Sequence, residues 1–173
     1  MRARAALWGS VVGLAIGGAA GWYLATRPDD EAPRQVRVSR PVQAGAGVEL
    51  REQAVTVPRG VDPMRHAVEA LAEPAGEGGS SALPAGTRVL SLEVRDGVAT
   101  LDLSAEFAAL AESGMTGESL AQEALLRCMG QFAEVNRLTV TVEGRPFEGE
   151  HSGPWTDLPV GARDAAGDGE ARP

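Results

Sequence analysis

The chain has 173 residues, with 24 acidic residues against 16 basic ones, and every basic residue is an arginine. All the acidic residues follow Pro28, where 13 arginines leave a net charge of −11; a surface that acidic argues against nucleic acid and anionic lipid as partners. The lone cysteine, Cys128, excludes an intramolecular disulfide, and the abundance of Gly, Ala and Pro points to a large share of linker or tail.

Residues 5–26 carry no charge. At about 1.5 Å per residue they reach ~33 Å, enough to cross a bilayer. Trp22 and Tyr23 stand at the far end, where an aromatic belt belongs. Arg2 and Arg4 precede the stretch, and Asp29, Asp30 and Glu31 follow it. The positive-inside rule then gives a single-pass anchor over residues 1–26, its N-terminus cytoplasmic and the rest extracytoplasmic, although Arg27 weakens the asymmetry. The competing reading is a cleaved signal peptide with Gly18 and Ala20 before the cut. The apolar run is longer than a usual signal core, which favours the uncleaved anchor. Gly9, Gly13, Gly17 and Gly21 recur every four residues, a face on which two such helices could pair, although small residues are common in membrane helices anyway.

Residues 27–34 read as a linker. From Gln35 the alternation of Val36, Val38 and Val42 predicts a strand, and Gly45-Ala46-Gly47 a turn before a weaker second strand ending by residue 57. Asp62-Pro63 is a helix start, with Asp as N-cap and Pro at the first helical position. Met64, Ala67, Val68 and Leu71 follow at i, i+3, i+4 and i+7. Residues 73–86 are rich in Gly, Ser and Pro and read as a loop.

Residues 88–104 carry the strongest local signal. Asp96-Gly97 sits between two alternating runs, and a type I′ turn needs φ > 0 at both central positions. That turn sets Arg95 opposite Val98, Val94 opposite Ala99, Leu92 opposite Leu101 and Leu90 opposite Leu103. One face is then wholly apolar, and the other carries Ser91, Glu93, Arg95, Val98, Thr100 and Asp102. A one-residue slip would destroy that separation. Residues 113–117 read as a loop, with Thr116 or Gly117 capping a helix that runs to about Ala133. Its apolar stripe is Leu120, Ala121, Ala124, Leu125, Cys128, Met129 and Phe132. Residues 135–143 form the last strand. Beyond Gly144 the chain reads as irregular, with a disordered tail over 156–173. The expected fold is α+β, in β-α-β-β-α-β order. A small mixed β-sheet carries two helices on one face, a two-layer sandwich preceded by one transmembrane helix.

The segments Leu83-Pro84-Ala85-Gly86-Thr87-Arg88-Val89-Leu90 and Val98-Ala99-Thr100-Leu101-Asp102-Leu103-Ser104, then Glu106-Phe107, the helix around residues 122–132 and Val140-Thr141-Val142-Glu143-Gly144, occur in that order. Together they resemble the GerMN domain of sporulation and spore-germination proteins, over residues 35–155. The resemblance implies an extracytoplasmic domain related to ring-building motifs, and it supplies no catalytic residues. The chain departs from the family pattern in a Gly/Ser-rich loop at 75–81. The family's terminal Gly-His-Asp stretch is matched only loosely, by Glu150-His151-Ser152-Gly153.

Candidate chemistry is sparse. His151, with Glu148 and Glu150 beside it, has the residue types of a carboxylate–histidine metal site, but no second histidine lies at ligand spacing. His66 flanks the first helix stripe and Cys128 lies on the second, positions typical of packing residues. Glu93 and Asp102 share the polar hairpin face, where paired carboxylates could do acid–base work on a glycan. An open polar face supplies the same proximity. The expectation is therefore no catalytic, cofactor-binding or metal-binding residue, no cofactor, and a non-enzymatic scaffold module. Its partners would be the membrane and an envelope protein or a second copy of itself. The alternative is an envelope glycan-binding protein or hydrolase, which would want exposed aromatics; only Trp155 lies outside the apolar N-terminal stretch among the tryptophans.

Overall fold

The computed structural model describes residues 34–74, 76 and 79–161. The expected anchor, most of the linker and the glycine face lie outside them. Among the described residues no helix is long and apolar enough to cross a membrane.

Strand β1 (Gln35–Ala44) and β2 (Gly47–Thr56) form an antiparallel hairpin. Helix α1 (Pro63–Leu71) starts as its sequence dictates: the Asp62 side chain accepts a hydrogen bond from the Arg65 N–H at 2.8 Å. Strands β3 (Val89–Arg95) and β4 (Val98–Leu103) make the second hairpin, and β5 (Arg137–Val142) runs parallel to β4. Between them come a 3-10 helix (Ala105–Ser113) and helix α2 (Gly114–Met129). Four two-residue strands follow: β6 (Arg145–Pro146), β7 (Glu148–Gly149), β8 (Gly153–Pro154) and β9 (Leu158–Pro159). β6 and β9 both pair with β5, and β7 pairs with β8.

The central hairpin closes through Asp96 (φ 51°) and Gly97 (φ 81°), the left-handed pair that a type I′ turn demands. At Gly97 the backbone O also accepts the N–H groups of Asn136 and Arg137, so the turn docks on the start of β5. Registry then builds inward rows across three strands: Val94·Ala99·Leu138 and Leu92·Leu101·Val140, with Leu103·Val142 below. The outward rows are Arg95·Val98·Arg137, Glu93·Thr100·Thr139 and Ser91·Asp102·Thr141. Ala99, Leu101, Leu103, Leu138 and Val140 are fully buried and share one core with the inner faces of both helices. Arg40, itself buried, ties the first hairpin to α1. Its Nη2 donates to the Ala70 carbonyl at 2.7 Å, and its Nη1 to Gln53 Oε1 at 2.9 Å. A cation on a helix C-terminal carbonyl is favoured by the dipole as well as by the bond.

Several expectations change. Leu90 does not face Leu103: β3 bulges there, so Val89 takes that place and is buried while Leu90 is 46% exposed. The extra residue accompanies a side-chain bond, since the Arg65 guanidinium donates to the Val89 carbonyl. The first two strands pair as a hairpin, but no hydrogen-bonded pairing joins them to the main sheet, and with the β7–β8 pair the described residues form three sheets rather than one. Residues 114–117 are helical, because the 3-10 helix leads straight into α2. Helix α2 stops at Met129, where Gly130 donates to the Leu126 carbonyl, and does not reach Ala133. Residues 156–161 are not tail: β9 pairs with β5, and the Val160 N–H donates to the Asn136 carbonyl at 2.9 Å. Residues 162–173 lie outside the described ones.

Candidate functional site

Helix α2 places Glu118, Ala121, Leu125 and Cys128 on one face by its 3.6-residue period. Three of these are core residues; Glu118 is the exception, a carboxylate with no exposed surface. A buried charge is tolerated only when fully hydrogen-bonded. Here the partners come from the chain between β7 and β8. The N–H of Glu150 donates to Oε1 at 2.9 Å. Those of His151 and Ser152 donate to Oε2 at 3.0 and 2.9 Å. The Ser152 hydroxyl donates to Oε2 at 2.8 Å, and His151 Nδ1 lies 3.4 Å from Oε1. Three successive N–H groups thus form a concave nest around one anion.

Burial alone pushes the Glu118 carboxyl up. The Ser152 hydroxyl, the N–H groups of His151 and Ser152 and the His151 ring outweigh it and hold the carboxyl down at about 2. Gly149 is required by this packing: a Cβ there would collide with the Ser152 hydroxyl and the Glu118 carboxylate.

The network continues inward. Trp155 Nε1 donates to Ser152 Oγ at 2.7 Å, so that hydroxyl receives from tryptophan and gives to Glu118. Trp155 is completely buried and meets Phe107 and Phe147 edge-on, at centroid distances of 5.7 and 5.1 Å. Phe107 and Phe147 meet each other at 4.8 Å. Backbone bonds stitch the same residues to β5, with Val140 N–H donating to Trp155 O and Phe147 N–H to Val140 O.

Serine, histidine and a carboxylate together suggest a hydrolytic triad, but the geometry differs. In a triad the hydroxyl donates to the imidazole, and the imidazole to the carboxylate. Here hydroxyl and imidazole both address the same carboxylate, and no hydrogen bond joins Ser152 to the His151 ring among the described residues. The arrangement is a fastener for a loop.

The remaining candidates are dispersed. His151 meets Glu118 rather than Glu148 or Glu150, which are exposed. Asp102 Oδ1 accepts from Thr141 Oγ1 at 2.7 Å and from the Gly144 N–H at 2.8 Å, holding the β5–β6 turn. Glu93 pairs instead with Arg95, at 2.6 Å. Cys128 is buried, and loss of hydration pushes its thiol up to about 12. His66 is half-buried, with its Nε2 unpartnered among the described residues. No group of three His, Cys, Asp or Glu among the described residues is placed to hold a metal ion. A groove of about 810 Å³ runs between β1, the end of α2 and β9, lined by Arg37, Ser39, Gln122, Leu126 and Leu158 among others. Among the described residues no aromatic side chain lines it.

Glu118 was not among the sequence candidates. The signal was present: it falls at i−3 and i−7 from Ala121 and Leu125, a charged residue at core spacing. Nothing local, however, marks residues 150–152 as its partners.

The fold and this fastener define a mixed α+β domain whose C-terminal segment is locked onto its second helix. The chain belongs to the sporulation and spore germination family (Germane), which it matches over residues 23–148. The structure resembles the tandem GerMN domains of the sporulation protein GerM from Bacillus subtilis, at TM-score 0.60 and 18% identity. That likeness covers 75% of this chain and 46% of the tandem chain, so this chain spans about half of it. The first GerMN domain of the same protein is matched at TM-score 0.58 and 20% identity, over 73% of this chain and 97% of that one. No curated protein matches this chain.

Proposed function

We propose that the chain is a membrane-anchored, extracytoplasmic GerMN domain acting as a non-catalytic interaction module of the bacterial cell envelope, in sporulation or germination. Family membership supports the sporulation-related role. The observation that carries the non-catalytic reading is the engagement of the chemically capable groups. Glu118 is saturated by four N–H and O–H donors, Asp102 holds a turn, and Trp155, the candidate stacking platform for a sugar, has no exposed surface. The uncharged stretch at residues 5–26 supports the anchor, and the acidic remainder supports a protein partner over lipid or nucleic acid.

The test combines location and activity in the native host. Full-length chain should fractionate with membranes, be cleaved by protease added from outside, and lose both properties when residues 5–26 are deleted. Crosslinking in the intact envelope should recover a protein partner. Release of soluble fragments from purified cell wall, abolished by Asp102→Asn, would contradict the non-catalytic reading.

A further inference from the structure

Among the described residues the first hairpin has one covered edge and one uncovered edge. In an antiparallel pair, alternate residue pairs exchange both backbone bonds. Val57 N–H donates to Arg34 O, so the bonded positions on β2 are Val55, Gln53, Arg51, Glu49 and Gly47. On β1 the intervening residues must point away from β2. Arg37 confirms the phase: its N–H donates to Gln131 Oε1 at 2.8 Å, and its carbonyl accepts from Gln131 Nε2 at 2.9 Å. The Gln131 amide thus occupies the β1 edge as a neighbouring strand would, and Pro41, with no N–H, blocks it further on.

Among the described residues the β2 edge has no such cover. Val48, Leu50, Glu52, Ala54 and Thr56 aim their N–H and carbonyl groups away from β1, and no described residue bonds to them. The strand is ten residues long, without proline, lysine or bulge, the usual guards of an edge. Val48 is 41% exposed.

We propose that a second copy of this chain pairs with β2, antiparallel, about a two-fold axis at Leu50. Charge selects the occupant and the register. Glu49 and Arg51 sit on one face of the strand, 3.2 Å apart and exposed. Centred on Leu50, the pairing sets Glu49 opposite the second copy's Arg51 twice, and Leu50 opposite its own counterpart. Centring on residue 49, 51 or 52 sets like charges directly opposite, which is destabilising. The result is a four-stranded sheet, β1-β2-β2-β1, with a closed two-fold interface. This deepens the interaction reading above, on which it rests, by naming a partner.

The test is cysteine crosslinking on the full chain in native membranes. Cys128 is buried, so the parent chain is the blank. A directly opposite, hydrogen-bonded pair holds its Cα atoms about 5.5 Å apart, within disulfide range. Leu50→Cys should form disulfide dimers under mild oxidation, whereas Val48→Cys and Glu52→Cys should form them only with each other. Glu49→Arg or Arg51→Glu in the Leu50→Cys chain should cut crosslinking about tenfold, and the double reversal should restore it. Equal crosslinking at 48, 50 and 52, no rescue by the double reversal, or crosslinking of Leu50→Cys to a different protein would overturn the pairing. A chain whose Leu50→Cys variant stays monomeric while wild type is recovered with an envelope protein would sink the pairing and leave the interaction reading standing.

Discussion

The central hairpin and the segment over residues 145–161 are held by opposite means. In the hairpin, apolar side chains two residues apart bury themselves through registry, and each strand carries its own instruction. The C-terminal segment has few regular strand residues. It is held by one carboxylate, a tryptophan N–H, an aromatic trio and scattered backbone bonds to β5. The hairpin is a pattern, and the segment is a set of long-range partnerships between residues 32 to 34 positions apart at Glu118. Pattern spreads stability over many contacts. A partnership concentrates it in a few groups, each costly to leave unpaired.

Substitutions should separate the two regimes. Leu101→Asp puts an unpaired carboxylate into the core and should cost at least about 3 kcal/mol in urea melts. Thr100→Asp, one residue away on the outer face, should cost under about 0.5 kcal/mol. Equal losses would mean that the inward rows are wrongly assigned. Glu118→Gln comes next: its amide turns one acceptor into a donor facing N–H groups. The urea midpoint should fall. Amides of His151 and Ser152 should exchange faster while those of β3 and β4 stay protected. Faster exchange in both regions alike would erase the distinction. Trp155→Phe, which loses the N–H donor and part of the ring, should cost roughly 2 kcal/mol. Leu90→Asp should also cost little, under about 1 kcal/mol, because the bulge turns that side chain outward.

The same contrast explains what could be read in advance. Asp96-Gly97 dictates a turn, and the turn dictates Leu92 opposite Leu101, because both rules act over a few residues. Asp62-Pro63 dictates the start of α1 for the same reason. The bulge at Leu90 escapes, since alternation continues through it and only the departure of Val89 toward Arg65 reveals the shift. The start of α2 escapes because Gly114 and Gly117 look like loop residues, while the 3-10 helix before them supplies the continuity. Glu118 was legible as a charge at core spacing, but its partners come from a Gly-rich stretch with no periodicity. His151 draws attention to its sequence neighbours Glu148 and Glu150, whereas the carboxylate it meets is 33 positions away.

A direct titration of Glu118 examines the partnership itself. Its carboxyl sits below the ordinary 4.5, at about 2. The ionised network therefore stabilises the fold fully above the unfolded value, and that contribution is lost as pH falls from about 4.5 toward 2. The side-chain carboxyl carbon of Glu118, followed by NMR as the domain is acidified, should titrate near pH 2, with the His151 and Ser152 amide resonances moving in step. A midpoint at the ordinary 4.5, with those amides unmoved, would contradict a saturated carboxylate at the heart of the C-terminal segment.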